Sequence, residues 1–384
     1  MDRESFKKVV IVTNIPNPYR IPLFNELQRQ LEDHGWELKV IFGASGYARR
    51  LFSLDMAQCN FQYQVLNSRK IALGNKEKPM FTYSGLLKSI SRENPDKIIV
   101  IGFSLATIKL WLRSLFRKTV FLIWSGSINT KGRKDSRFRY LLRKALVTRA
   151  SGFIAYGSKA KDYLISLGAP PHKINIGINT TDTKFFEEQT NNIRSTLKKP
   201  KRKCLLYVGY LTKLKRIDLL LAVVQYLLNI RNDFFLTLVG DGPYKDELKR
   251  ITEDWHIEDL VRFEGFKQKE DIPFYLAGAD CFLFPSDYDI WGLVLNEAMA
   301  AGVPCISSIH AGATHDLIIE GKTGFAMNFE NREKVAERII WILNNREKAK
   351  KIGRNAALFI KKNASLQNSV TGFIQAIEEI GNAG

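Results

Sequence analysis

The sequence predicts an α/β protein made of two doubly wound parallel-sheet domains in tandem, and three features carry that expectation. Short β-branched or apolar runs alternate with amphipathic stretches from end to end, the rhythm of βαβ units whose sheet is covered on both faces. The rhythm restarts after residue 200. Between the two sets lies EEQTNNIRSTLKKPKRK, residues 187–203, polar and charged without an apolar period. At 384 residues and 45% hydrophobic content, the chain exceeds one ordinary core and suffices for two.

The first set begins with KVVIVTN, a buried-strand run, followed by the helical pattern IPLFNELQRQLEDHG and then by WELKVIFG, DKIIVIG and KTVFLIW. In the second set KCLLYVG, FFLTLVG, LVRFEGF, CFLFPS and PCISS read as strands. The patterns LLLAVVQYLLNI and YKDELKRITEDW read as helices between them. The expected division is a first domain over 1–186, a linker over 187–203 and a second domain over 204–365. A C-terminal helix in 366–384 is expected to pack back on the first domain. Open sheets of this kind bind ligands beyond the carboxyl ends of their strands, so the ligand is expected in a cleft that the two domains share.

Composition narrows the function. The start, MDRESFKKVVIVTN, has no apolar signal core, and the longest apolar runs are strand-sized, so neither export nor a membrane span is expected. Cys59, Cys204, Cys281 and Cys305 show no metal-ligand spacing and read as reduced thiols of a cytoplasmic protein. Lys and Arg outnumber Asp and Glu by 58 to 39, a formal charge of +19, which favours an anionic partner: nucleic acid, acidic lipid or a phosphorylated metabolite.

The stretch DYDIWGLVLNEAMAAGVP, residues 287–304, carries the chemistry. It reads as the loop after a strand, then a helix stopped by Gly302 and Pro304. The first amides of a helix are unpaired and attract phosphate. Asp289 stands just before them, and Glu297 lies on the order of 7 Å further along the helix at ~1.5 Å per residue. A diphosphate on the amides with one group at each acid has the span of a nucleotide sugar. The plainer readings are an end cap for Asp289 and a solvated surface acid for Glu297. Against the second, Leu293, Val294, Leu295, Ala298, Met299, Ala300 and Ala301 make the helix apolar nearly all round, and a buried carboxylate needs partners.

The segment PSDYDIWGLVLNEAMAAGVPCI resembles the acid-x7-acid signature of the retaining GT-B glycosyltransferases of family 4, the group 1 glycosyltransferases. YVGYLTKLKRIDLLLAV, LVGDGPYKDELKRI, VRFEGFKQKEDIPFYLAGADCFLFPS and AGATHDLIIEGKTGF extend the resemblance, in order, over about 204–326. It implies a GT-B fold, two Rossmann-like doubly wound parallel-sheet domains facing across a cleft. It also implies a nucleotide diphosphate sugar as co-substrate, with no cofactor and no metal. Carried over, Glu297 holds the donor ribose, Asp289 the transferred sugar, and the backbone of Ile290, Trp291, Gly292 and Leu293 meets sugar and diphosphate. Lys215 grips the diphosphate after Gly209, and Phe266 lies where the base is read.

Two positions depart from the family pattern. Asp289 stands where Glu is usual, shortening the arm by one methylene. Tyr210 replaces the first of two basic residues, with Arg216 as the nearby substitute. Lys215 also has a plainer reading as a solvated lysine. DYD spells the metal motif of a different glycosyltransferase fold, a reading set aside because cations and helix amides suffice to neutralise the leaving group.

In the first domain TNIPNPYRIPLFNEL resembles the acceptor loop of bacterial polysaccharide or lipopolysaccharide members, which makes Asn17, Tyr19 and Arg20 acceptor candidates. The alternative is that its prolines only shape a turn. Where relatives place a histidine after a first-domain strand, FLIWSGSIN offers Ser125 and Asn129. His34, His172, His256, His310 and His315 lie elsewhere, and no general base is assigned.

From Lys109 to Arg149, including Lys131, Arg133 and Lys134, the basic residues face only Asp135. In IKLWLRSLFRK one helical face carries Ile108, Trp111, Leu112, Leu115 and Phe116, and another Lys109, Arg113 and Arg117. That pattern fits either an interfacial helix on an anionic membrane or a helix whose apolar stripe packs on the sheet. The expectation is a cytoplasmic enzyme, peripheral on the inner face of the membrane, that transfers sugar to a glycan or to a polyprenyl- or other lipid-linked acceptor. The rivals are a nucleotide-sugar epimerase on the same fold, a nucleic-acid-binding protein and a membrane-bound pseudoenzyme. No nucleic-acid-binding motif is seen, so nucleic acid is not an expected partner.

Overall fold

The computed structural model describes residues 6–46, 55–71, 80–129, 136–198 and 200–379. Two compact units emerge: Met1–Thr181 together with Leu366–Gly384, and Asp182–Ser365.

The first unit opens with β1 (Lys7–Thr13), α1 (Ile21–Asp33), β2 (Trp36–Phe42), β3 (Gln62–Val65) and a small antiparallel pair, β4 (Lys70–Ile71) and β5 (Met80–Phe81). It continues through α2 (Leu86–Glu93), β6 (Lys97–Ile101), α3 (Leu105–Phe116), β7 (Phe121–Ser125), α4 (Arg137–Arg149), β8 (Gly152–Ala155), α5 (Ser158–Ser166) and β9 (Ile174–Ile176). Seven strands form one sheet in the order β3-β2-β1-β6-β7-β8-β9, each pair parallel. Val9 to Val12 and Phe121 to Trp124 are buried, because such a sheet is covered on both faces.

The second unit contains α6 (Thr183–Thr196), β10 (Lys203–Val208), α7 (Ile217–Leu228), β11 (Phe234–Val239), α8 (Lys245–Asp254), β12 (Val261–Gly265), α9 (Ile272–Gly278) and β13 (Cys281–Phe284). After these come α10 (Leu293–Ala300), β14 (Cys305–Ser308), α11 (Thr314–Leu317), β15 (Phe325–Met327), α12 (Arg332–Asn344) and α13 (Arg346–Asn363). Its six-stranded sheet runs β12-β11-β10-β13-β14-β15, again parallel throughout. Cys204, Cys281 and Cys305 are free and buried near the starts of three adjacent strands, and Cys59 is free and half-buried.

Residues 183–196, most of which the composition assigns to a linker, are the helix α6. Asp182 caps it by accepting from the amide of Phe185 at 3.2 Å. Its buried face is only Thr183, Phe186 and Thr190, and it packs on α9 and α10. A face that short, two-thirds threonine, leaves no apolar period to read.

The last helix, α14 (Leu366–Glu379), belongs to the first unit and packs on α1, β8 and β9. Phe373 meets Trp124 edge-on at 4.9 Å. Gly372 lies so close to the carbonyl of Ile176 that a Cβ there would collide with it. Lys97 on β6 donates to the Ile377 carbonyl.

In each sheet the strand order reverses once, between β1 and β6 and between β10 and β13. The loops leaving adjacent strands there diverge to opposite faces and open a crevice, so β1, β6, β10 and β13 aim the loops most suited to hold a ligand.

Candidate functional site

The crevice of the second sheet is bounded by the loop after β10, ending at Arg216, and the loop after β13, ending at Gly292. Glycine is required where backbones touch. A Cβ on Gly240 would collide with the Gly209 carbonyl, and one on Gly242 with the Leu211 carbonyl, so the loops after β10 and β11 are stacked main chain on main chain. Gly292 has φ +96°, and a Cβ there would come within 2.7 Å of the Phe284 ring. The loop after β13 is also tied to the one after β14: the amides of Gly312 and Ala313 donate to the carbonyls of Asp289 and Trp291 at 2.9 and 3.0 Å.

This frame brings Lys215 and Asp289, 74 residues apart in sequence, into a direct ion pair. The other Asp289 oxygen accepts from the amide of Trp291 at 3.2 Å, so the acid also fixes its own turn. Arg216, left-handed at φ 49°, pairs with Asp218 at 3.2 Å and with Asp287. Both acids of DYD are therefore held by cations. Arg216, expected near the diphosphate, also braces the two loops through these pairs. The amide of Asp287 completes the brace by donating to the Leu214 carbonyl at 3.1 Å.

Glu297 follows on α10. It is half-buried rather than fully enclosed, and no described side chain hydrogen-bonds its carboxylate. Burial pushes its pKa up to about 7, and the charge of Lys269 opposes the rise. Its neighbour Asn296 is fully buried and accepts from the Trp291 indole at 2.9 Å, which anchors that side chain in the core and leaves only its backbone at the crevice. Ile290 and Phe266 are exposed, and Leu293 is the first residue of α10. Tyr210 is half-buried beside Gly209.

At the corresponding end of the first sheet, the loop after β1 brings Asn17, Tyr19 and Arg20 together, and Ser125 ends β7. Arg20 is only 5% exposed. Its guanidinium lies 4.0 Å from the centre of the Trp124 ring and donates to the Tyr156 hydroxyl. The phenols of Tyr156 and Tyr19 hold the guanidinium protonated against the cost of burial. Ser125 is buried and accepts from the amide of Ser127 at 3.1 Å. Arg20 and Ser125, expected at an acceptor, are thus built into the wall of the unit, while Tyr19 is half-buried at its edge. Asn17 is buried, donates to the Ile15 carbonyl at 3.2 Å and has a side-chain oxygen with no partner among the described residues.

The basic stretch divides. Lys109 donates to the carbonyls of Thr82 and Tyr83 at 2.6 and 3.0 Å, and Arg113 to Ser91 at 3.0 Å, so two of its cations are structural. The buried positions of α3 are Ala106, Thr107 and Leu110, none of them on the expected apolar face, where Leu112 and Leu115 are exposed and Phe116 is 84% exposed. On α4, Phe138 and Leu141 are 78% and 62% exposed among Arg137, Arg139 and Lys144. Lys131, Arg133, Lys134 and Asp135 lie outside the described residues.

Sequence reasoning missed Asp287 as an ion-pair partner, Lys269 as the charge facing Glu297, and Trp124 and Tyr156 as the cage of Arg20. Only Asp287 left a local signal, set aside with the metal motif. Among the described residues no group of three His, Cys, Asp or Glu is placed to hold a metal ion.

Two parallel-sheet units, each presenting its loops at a switch point, define a two-domain GT-B fold. Among solved structures, the chain is similar to Anabaena Alr3699/HepE in complex with UDP, with a TM-score of 0.77 and 18% identity over 97% of this chain and 100% of that one. Residues 188–359, most of the second unit, match the family model "Glycosyl transferases group 1". Curated relatives include the amylovoran biosynthesis glycosyltransferase AmsK of Erwinia amylovora, 36% identical over 39% of this chain and 37% of its own length. Another is the N-acetyl-alpha-D-glucosaminyl L-malate synthase of Bacillus anthracis, 34% identical over 40% of this chain and 39% of its own. The chain thus spans about two fifths of the length of the curated relatives it matches.

Proposed function

We propose that this protein is a retaining, metal-independent glycosyltransferase of family 4 that moves a sugar from a nucleotide diphosphate donor to a glycan or lipid-linked acceptor in bacterial cell-surface polysaccharide synthesis. The observation that carries the reading is the meeting of Lys215 and Asp289 at the switch point of the second sheet. It puts a cation for the diphosphate beside an acid for the sugar, at the start of the helix that carries Glu297. In this reading the ribose hydroxyls donate to Glu297, Phe266 lies against the base, and the main chain from Ile290 to Leu293 meets sugar and diphosphate. UDP is the first nucleotide to try, because a protein of the same fold binds it.

The bond from the anomeric carbon to the diphosphate oxygen breaks as the acceptor oxygen bonds to the same face of that carbon. The acceptor proton passes to the departing oxygen, which becomes the stronger base as the bond breaks. Lys215 stabilises the charge that develops there. Tyr19, at the rim of the Arg20 cage, is the acceptor contact that the first unit offers best.

A membrane-linked acceptor is supported by Phe116, Phe138 and Leu141, large apolar side chains exposed among arginines and lysines, the composition of an interfacial surface. Docking there would place the enzyme on the inner face of the cytoplasmic membrane.

The test incubates the protein with nucleotide sugars and a lipid-linked acceptor and reads the anomeric configuration of the product by NMR. Retained configuration, lost in a folded Glu297→Ala variant, supports the proposal; full activity in that variant refutes it.

A further inference from the structure

At the other end of the second sheet, where β10, β13 and β14 begin, lies a cavity of about 410 Å³. It is remote from the loops of Lys215 and Asp289, which leave the opposite ends of β10 and β13. Five cations line it: Arg194 on α6, Lys203 at the first residue of β10, and Arg346, Lys350 and Arg354 on α13. The carboxylate among the lining residues, Asp280, is engaged in structure, accepting from the Cys204 amide at 2.9 Å. Beneath the cations the floor is apolar, with Ile342 and Leu343 buried.

Three features distinguish this hollow from the general positive surface of a chain of charge +19. Arg194 is half-buried, and burial lowers its pKa. It donates to the Leu276 carbonyl at 3.4 Å, and no described carboxylate pairs with it. The wall is fixed, because Gly353 of α13 packs on the Gly302 carbonyl so closely that a Cβ would collide with it. The local compensation is slight: Glu347 pairs with Lys350 at 2.8 Å and also feels Arg346 and Arg354, but on the exposed surface such a carboxylate offsets little of their charge. Five cations against Asp280 and the exposed Glu347 leave the concavity net positive and attractive to an anion.

We propose that this cavity is a second anion site, taking a phosphorylated molecule whose phosphates meet Arg194 and the α13 cations and whose less polar part rests on Ile342 and Leu343. Its volume lies in the range of small-molecule pockets. The site is independent of donor binding, since none of its residues belongs to the crevice above. A soluble phosphate ester and a phospholipid headgroup offer the same chemistry, and the two arms of the test separate them.

Inorganic pyrophosphate is titrated calorimetrically into the full chain carrying Lys215→Ala, which weakens the donor crevice, with and without Lys350→Glu and Arg354→Glu. Those two rim positions are exposed, so the fold survives their change; unchanged melting temperatures check this. Flotation with phosphatidylglycerol vesicles is run on the same proteins. A tenfold or greater loss of pyrophosphate affinity on adding the rim changes supports the site with a soluble ligand. A loss confined to vesicle binding supports it with a lipid headgroup. Unchanged binding of both probes overturns the proposal.

Discussion

Replacing Glu297 with Gln should stabilise the protein at high pH even as it removes function. The carboxyl has a folded pKa of about 7 against an ordinary value of 4.5. Below pH 4.5 the group is protonated in both folded and unfolded chains, and the shift contributes nothing. As pH rises the unfolded chain ionises first, so a penalty on the folded state grows between 4.5 and 7 and is full above 7. The whole shift at ~1.36 kcal/mol per unit corresponds to about 3 kcal/mol, and the partial solvent exposure of the side chain lowers this to about 2.

An uncharged amide of the same shape removes that penalty. At about 2–4 °C per kcal/mol for a unit of this size, the Glu297→Gln variant should melt roughly 4–8 °C higher than the native protein at pH 8. At pH 5 less than a third of that gain should remain. Scanning calorimetry at the two pH values, without nucleotide, reads both numbers. Since most substitutions destabilise, a gain of this size is specific. A loss of stability at pH 8 would show that the carboxylate is stabilised in the folded state, and a gain equal at both pH values would show that ionisation is not its source; either outcome excludes a buried-charge penalty at Glu297.

Three other outcomes are expected. Asp289→Asn releases Lys215 from its ion pair, so UDP should bind severalfold more tightly in calorimetric titration while sugar transfer falls. Gly312→Ala puts a methyl group against the Ile290 carbonyl and should lower unfolding free energy by about 2 kcal/mol or more in urea titration, in the range of other overpacking changes. Phe116→Glu with Phe138→Glu and Leu141→Glu should abolish flotation with anionic vesicles and leave the melting temperature unchanged, because none of the three is part of the core.

The sheets were legible because parallel strands are buried on both faces: VVIVT, FLIW, CFLF and CISS read as unbroken apolar runs. The helix α6 was not, because its buried face is Thr183, Phe186 and Thr190 and the rest of its surface looks like linker. Periodicity separated the faces of α3 but did not say which turns inward. Carbonyls at Thr82 and Tyr83 and the hydroxyl of Ser91 capture Lys109 and Arg113, an outcome of tertiary placement alone.

In the candidate site, Asp289 and Glu297 stood out because they share one loop and helix, and Lys215 emerged through the family resemblance of its own segment. That Lys215 pairs with Asp289 required the strand order, which brings β10 beside β13. The enclosure of Arg20 by Trp124 and Tyr156 joins residues 104 and 136 positions away and left no local pattern. An arginine in a proline-rich loop looks like a surface contact until the chain is folded.

In the proposed mechanism the crevice between the loops after β10 and β13 grasps an activated sugar through Lys215 and Glu297. Calorimetric titration of UDP-, GDP- and ADP-sugars into the native protein and into Lys215→Ala and Glu297→Ala, with folding confirmed by circular dichroism, addresses it most directly. Saturable binding of at least one donor is expected for the native protein, and at least tenfold weaker binding for each variant. Donor affinity unchanged in both folded variants would contradict it.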